Sequence, residues 1–373
     1  MPIDILKITA DQADRITAYP EGHFCELKSI DARLPRLTTT IAAFANADGG
    51  ELFVGIDENE KFKIRTWRGF LDQEAANGHV QAFEALFPLS GDFQYSFLSC
   101  EQRPGLILKL DVQKTRDIRK SSDGTPYVRR GAQNLPVTTR EQFRQLEYVK
   151  GLASFETEPV DAPGELVSNS LPILEFMLAV IPTAEPDVWL TKQMLLRDGR
   201  PTVAGILLFA EEPQALLPKR CGIKIYRYGT KDKEGSRATL ASDPVTIEGH
   251  IYKQISDAVS STARIIEDTG RLGEAGVEAV AYPPETLHEI ITNAVLHRDY
   301  SIADDIHIRI FDNRVEVQSP GRLPAHVTPE NILDERFARN GTIVRLVNKF
   351  PNPPNKDVGE GLNTAFAAMH KMG

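Results

Sequence analysis

Cysteine is scarce in this chain. Cys25, Cys100 and Cys221 are far apart and odd in number, which excludes a disulfide framework and a compact zinc knuckle and fits a reducing cytoplasm. Long apolar runs are missing as well. None reaches the roughly 18 residues that a membrane helix needs, so no membrane partner is expected. The opening MPIDILKITADQ lacks the basic and apolar regions of a signal peptide, and a cytoplasmic protein is expected. The 26 glycines and 24 prolines follow no repeat, which excludes a collagen-like chain. The apolar share of 41% and charged share of 25% exclude disorder as the main state. At about 100–200 residues per domain, 373 residues suggest two or three domains.

An overall positive charge is also absent, since the net charge is −9. The distribution says more than the sum. Residues 101–150 hold 11 Lys/Arg and 6 Asp/Glu, a local +5, so the remainder carries −14. That segment reads either as a phosphate-binding face or as a solvated surface with chance clustering.

Periodicity divides the chain into regions. Residues 23–28 alternate like a strand, and residues 34–46 have apolar positions at helical spacing. Asn46-Ala-Asp-Gly-Gly50 is a helix stop and turn. Leu52-Phe-Val-Gly-Ile56 reads as a buried strand that surfaces at Asp57. A helix over 79–87, strands over 106–112 and 126–130, and a helix over 140–151 complete the first region. Residues 156–170, polar and with two prolines, read as a linker. In the middle region, PTVAGILLFA and CGIKIYRYG read as strands and 247–268 as a long helix.

Period two places Phe24, Glu26 and Lys28 on one strand face. Glu26-Leu-Lys28 is an E-x-K pair, a pattern by which metal nucleases hold a divalent ion and offset charge at a phosphate. Glu21 just upstream and Asp57 would complete the oxygen ligands. The alternative is a salt bridge across a strand face. Three blocks, EGHFCELKSID, TTTIAAFANADGGELFVGIDENEK and GTPYVRRGAQN, resemble in order the Schlafen-type AlbA domain, over about residues 12–150. The resemblance implies nucleic-acid binding. In RNA-cutting members it also implies a metal-dependent site of three carboxylates, falling here on Glu21, Glu26 and Asp57 with Mg²⁺ or Mn²⁺. Lys28 is grouped with them. Arg116, Arg119, Lys120, Arg129 and Arg130 are the candidate phosphate contacts. Tyr127 reads either as a stacking ring or as a half-buried strand aromatic.

Residues 283–297 read as a helix with Pro284 in its first turn. Its apolar face carries Leu287, Ile290, Ile291 and Ala294. Glu289 and Asn293 lie about 40° apart on the opposite side. Strands over 306–311 and 314–319 flank an Asp312-Asn313 turn. Then come Ser319-Pro-Gly321 and a Gly359-Glu-Gly361 pair before a helix over 363–372, where backbone N–H groups can approach an anion. His297-Arg-Asp-Tyr300 reads as a helix cap and turn. The ordered set resembles the GHKL ATPases, in the branch of RecG-related, Schlafen-linked bacterial proteins. The resemblance implies that Glu289 positions or deprotonates the attacking water and that Asn293 helps hold Mg²⁺. It also implies that Gly359 and Gly361 line the phosphates of ATP beneath a lid over 339–357. Ser319, next to Gly321, stands where the general pattern has an adenine-binding Asp. A serine accepts a hydrogen bond without supplying the charge, so hydrolysis is expected to be slow. Relatives continue with a further strand and a winged-helix-like tail, so the expectation is either a truncated C-terminal region or a short family member.

The expected fold is α/β of the α+β kind. An AlbA-like two-layer domain (1–155) leads through the linker (156–170) to a middle α/β region (171–280). A GHKL, Bergerat-type α/β sandwich follows (281–373). The expected function is nucleic-acid and ATP binding, with metal-dependent cleavage of RNA of the tRNA kind in anti-phage defence. The alternative is a non-catalytic DNA-binding regulator whose ATP domain controls assembly. A third reading is an ATPase partner of a separate effector. A homo-oligomer is expected.

Overall fold

The computed structural model describes residues 3–59, 64–217, 220–269, 271–273, 276–278, 282–323, 327–329, 331–333, 337–354 and 361–372. The chain forms two compact units, the first built on residues up to Ala153.

The first unit runs β1 (Asp4–Lys7), α1 (Ala10–Ala18), β2 (Cys25–Lys28), α2 (Leu34–Asn46), β3 (Gly50–Val54), β4 (Ile56–Asn59), β5 (Ile64–Trp67) and α3 (Asn77–Glu84). It ends with β6 (Phe93–Ser99), β7 (Leu106–Val112), β8 (Tyr127–Arg130), β9 (Gln133–Pro136) and α4 (Arg140–Lys150). Five strands form a sheet in the order β1-β6-β7-β3-β2. The period-two alternation of its strands sorts side chains between two cores. Leu52, Val54, Phe93, Phe97, Leu108 and Leu110 face α2, which buries Leu37, Ile41 and Phe44. Phe53, Leu98 and Ile107 face the other way, where Ala13 of α1, Leu27 and Trp67 close a smaller core.

The expected strand through Ile56 breaks at Gly55. Its φ is +126°, and a Cβ there would stand 2.7 Å from Ile107 Cδ1. The left-handed backbone turns the chain out of the sheet. Asp57 therefore lies in the β4–β5 ladder, opposite Thr66, and not at the end of β3.

The second unit opens with α5 (Glu165–Ser168), α6 (Leu171–Val180), α7 (Pro186–Lys192), β10 (Leu196–Arg197), β11 (Arg200–Pro201), α8 (Val203–Phe209) and α9 (Pro213–Leu216). It continues through β12 (Ile223–Arg227), β13 (Val245–Ile247), α10 (Ile251–Glu267), β14 (Arg271–Gly273) and β15 (Gly276–Glu278). It closes with α11 (Pro284–Leu296), β16 (Ile306–Ile310), β17 (Val315–Gln318), α12 (Gly341–Val347) and α13 (Gly361–Met372). The principal sheet has the order β13-β12-β16-β17. β12 and β16 pair in parallel, Ile223 opposite Ile306. The expected middle and C-terminal domains thus share one sheet and one core.

Three further expectations are corrected. PTVAGILLFA contains a helix, α8, with every side chain buried. Thr202 caps it by accepting from Gly205 N at 3.3 Å. An apolar run without polar punctuation has no visible period, so a buried helix and a buried strand read alike. The expected linker is folded. Glu156 is 2% exposed and accepts from Thr342 N at 2.8 Å and Ile343 N at 2.9 Å. Its carboxylate satisfies donors that the first turn of α12 leaves without partners. The described part of the expected lid, residues 339–354, is packed: Ile343, Leu346 and Val347 lie in the core.

Candidate nucleic-acid and nucleotide sites

In the first unit, β2 brings Glu26 and Lys28 together, and the turn before it returns Glu21 to them. Lys28 Nζ pairs with Glu26 Oε1 and donates to Glu21 Oε1 at 3.0 Å. Glu21 Oε1 also accepts from Leu27 N at 3.0 Å. Lys28 and this hydrogen bond hold the Glu21 carboxyl below the usual range, against the opposing effect of burial. The other oxygen of Glu26 accepts from Arg129 Nη2 at 2.6 Å. Glu26 is 6% exposed and Arg129 is 0% exposed. Arg129 Nε donates to Gly22 O at 3.0 Å and Nη1 to Asn134 Oδ1 at 2.8 Å. Its guanidinium lies 4.9 Å from the Phe44 ring centroid. Two carboxylates and two cations thus form a quartet of zero net charge.

Asp57 is not part of this quartet. Its Oδ2 lies 3.4 Å from Arg68 Nη1, which also pairs with Asp31. Among the described residues, no three His, Cys, Asp or Glu side chains gather closely enough to hold a metal ion. A divalent ion does not fit this arrangement. Glu26 has a cation on each oxygen, and the third carboxylate stands with another arginine. Convergence of Glu21, Glu26 and Asp57 was the expectation; Glu21 and Glu26 share Lys28, whereas Asp57 stands on β4, past the turn at Gly55, with Arg68.

The basic segment divides by burial. Arg116, Lys120 and Arg130 are exposed, Arg119 is half-buried and Arg129 is fully buried. Arg129 was expected to contact phosphate, and its guanidinium instead points inward. Tyr127 is half-buried and donates to Asp123 Oδ2 at 2.8 Å. Two buried residues that the sequence did not single out anchor this segment. Asn46 donates to Arg119 O at 2.7 Å and Tyr127 O at 2.9 Å, and accepts from Arg119 N at 2.8 Å. Lys150 Nζ donates to Ala45 O and Thr115 O, both at 2.6 Å. A polar residue on the last turn of an apolar helix was the available signal for Asn46.

In the second unit, α11 places Glu289 and Asn293 one turn apart. Asn293 Nδ2 donates to Glu289 Oε1 at 2.7 Å. Thr286, Leu287, Ile291, Val295 and Leu296 make its buried side, with Ile290 and Ala294 half-buried. Ser319 Oγ donates to Ala294 O at 2.7 Å, so the hydroxyl ties the end of β17 to α11. Gly321 has φ +116°, and a Cβ there would stand 2.7 Å from Asp299 Cβ. His297 continues the 289/293 spacing by one more turn, and its Nδ1 is buried without a hydrogen-bond partner. The i+4 repeat was the signal for it. Arg298-Asp-Tyr300 is a buried strut. Asp299 pairs with Arg339 at 3.0 Å, and Tyr300 OH donates to Val295 O at 3.0 Å. α13 begins at Gly361 and packs on α11, whereas Gly359 lies outside the described residues.

Two family models match parts of the chain. Residues 21–138 match the family model described as "Schlafen, AlbA_2". Residues 303–373 match the one described as "Putative ATP-dependent DNA helicase recG C-terminal". Glu289 and Asn293 fall just ahead of that second match. No curated protein matches the chain. Among solved structures, the DIP2311 protein of Corynebacterium diphtheriae shares 16% identity, over 96% of this chain and 75% of its own, with a TM-score of 0.44. The N-terminal domain of a "Putative ATP-dependent DNA Helicase RecG-related Protein" from Nitrosomonas europaea shares 21% identity. That match covers 32% of this chain and 86% of its own, with a TM-score of 0.26. The chain joins a Schlafen AlbA_2-type region to a RecG-related, ATPase-like C-terminal region.

Proposed function

We propose that this protein binds nucleic acid through its first unit without cutting it, and takes ATP with Mg²⁺ in its second as a control on assembly. The observation that carries the non-catalytic reading is the neutral quartet. A carboxylate held by both Lys28 and Arg129 has no free charge to offer a metal. The exposed Arg116, Lys120 and Arg130 supply the phosphate contacts, on a segment that Asn46 and Lys150 hold rigid. Cleavage is the second reading. It is favoured by one observation, that Asp57 Oδ1 is buried without a partner.

Incubation with tRNA, single-stranded DNA and duplex DNA, with and without Mg²⁺ or Mn²⁺, is the test. Retention without cleavage is expected. Cleavage that Glu26→Gln abolishes would overturn the reading in favour of the nuclease. Each phosphate contact contributes about 0.7–0.9 to the slope of log affinity against log salt. Replacing Arg116, Lys120 and Arg130 together by alanine is therefore expected to flatten that slope by about 2–3. An unchanged slope would move the binding face elsewhere.

In the second unit, the Asn293 amide nitrogen is engaged by Glu289, which leaves Oδ1 as the hard oxygen ligand that Mg²⁺ prefers. Bound Mg²⁺ neutralises phosphate charge. Asn293→Ala is expected to weaken Mg-ATP binding at least about ten-fold in calorimetry, the loss of roughly 1.4 kcal/mol. Glu289→Ala is expected to leave binding near the wild-type value. No heat from ATP on folded protein would remove nucleotide control.

A further inference from the structure

The first unit displays two exposed aromatic side chains among its described residues, Tyr19 at 56% and Phe24 at 58%. Both stand on one short loop, residues 19–24, between α1 and β2. Rings left in water on a flexible loop would be unremarkable, but this loop is fixed by its own carbonyls. Arg65 donates to Tyr19 O. Arg129 donates to Gly22 O and Cys25 O. Phe24 O accepts from Glu51 N at 2.8 Å, and Gly22 N donates to Cys25 O at 3.0 Å. The Phe24 ring is also oriented. It meets the His23 ring edge-on, with centroids 4.8 Å apart, and His23 Nε2 is held by Asp48 Oδ2 at 2.8 Å.

We propose that loop 19–24 is a stacking platform for the bases of a single-stranded nucleic acid, with Phe24 the principal ring and Tyr19 the second. The inference rests on the nucleic-acid-binding reading and names its substrate class. Two features select this ligand over a protein partner. The loop is tied by Arg129 to β8, a strand of the basic segment whose exposed cations include Arg130. Rings on a loop tied to the basic segment suit a strand in which base and phosphate alternate, since every base offers a π-face. A duplex keeps its bases stacked on each other and has none to offer. The neutral quartet under the loop acquires a purpose in this scheme: Glu26 orients Arg129, and Arg129 holds the carbonyls of Gly22 and Cys25, which flank His23 and Phe24. Pre-ordering the rings reduces the entropy lost on binding.

The test uses the full chain and two probes of equal length, a single-stranded oligonucleotide containing 2-aminopurine and the corresponding duplex. Phe24→Ala is expected to weaken single-strand binding by about 5- to 150-fold, the range for losing one stacked base. Tyr19→Ala is expected to act in the same direction. Duplex affinity and the salt slope are expected to hold, because the phosphate contacts lie elsewhere. Phe24→Trp is expected to retain binding and to quench 2-aminopurine. Phe24 is exposed, so its removal leaves the fold intact, which circular dichroism verifies. Wild-type binding that Phe24→Ala does not change would overturn the platform while leaving nucleic-acid binding standing. An equal loss for both probes would also overturn it. Failure of the wild type to bind either probe would overturn both readings.

Discussion

Replacing Arg129 with alanine is expected to lower the unfolding free energy of the first unit by about 3–5 kcal/mol, the cost of stranding a buried charge. Arg129 is 0% exposed, and its guanidinium serves Glu26, Gly22, Cys25 and Asn134 at once. Truncation leaves one Glu26 oxygen without its cation and removes the arginine donors of Gly22 O and Asn134 Oδ1. Arg130→Ala, one residue on and exposed, is expected to change stability by no more than about 0.5 kcal/mol. Replacing Glu26 by Gln together with Arg129 by Met is expected to recover part of the loss, since no unpaired charge then remains inside. Urea unfolding followed at Trp67 in a Trp189→Phe background isolates the first unit. Trp67 is buried there and donates to Pro104 O at 3.0 Å. Equal midpoints for Arg129→Ala and Arg130→Ala would refute the assignment of Arg129 to the interior. The same pair of variants bears on binding. An arginine committed to the interior influences affinity through the shape of loop 19–24, whereas Arg130 acts through its charge.

The second large effect is a pH dependence. Burial, reinforced by the nearby Lys114 and Arg119 cations, pushes Lys150 down to about 7 from its ordinary 10.5. Between these values the unfolded chain holds a proton at this site that the folded chain has released. Stability of the first unit is therefore expected to rise with pH above 7, by up to about 1.4 kcal/mol per unit from this group. The gain is lost as pH falls through 7, where the native amine must charge inside the protein. Lys150→Met fills a similar volume without a titrating group and is expected to abolish this rise. Urea midpoints at pH 7, 8 and 9 measure it. Parallel slopes in the wild type and Lys150→Met would place the dependence on other groups. Lys150 bridges Ala45 O and Thr115 O, at the root of the basic segment. Salt titrations of nucleic-acid binding are best run at one pH, so that this anchor is in a single state.

Much of the local structure was legible in the sequence. α2 has the predicted bounds, because Leu37, Ile41, Phe44 and Ala45 recur at helical spacing and glycines follow. The hairpin of β16 and β17 was readable from strict alternation around Asp312-Asn313. The pairing of Glu289 with Asn293 follows from helix geometry alone, since residues four apart share a face. Period two likewise brought Glu26 and Lys28 together. In each case the information is local, and a repeat of 3.6 or 2 residues carries it.

What the sequence could not determine depends on contacts between distant residues. α8 and a buried strand have the same apolar composition, and only its surroundings in the core decided for the helix. Residues 156–170 have the composition of a linker, yet Glu156 is drawn inside by donors 186 and 187 residues away. Asp57 follows a strand-like run, and the positive φ of Gly55 turns it out of the sheet, where the nearby Ile107 leaves no room for a side chain. Arg129 and Arg130 are identical in sequence terms, and strand β8 sends one to Glu26 and the other to solvent. The sequence by itself determined which residues carry charge, oxygen ligands and rings. Tertiary structure decided which charges cancel, because a carboxylate offers its charge to a metal only when folding leaves it without a nearer cation.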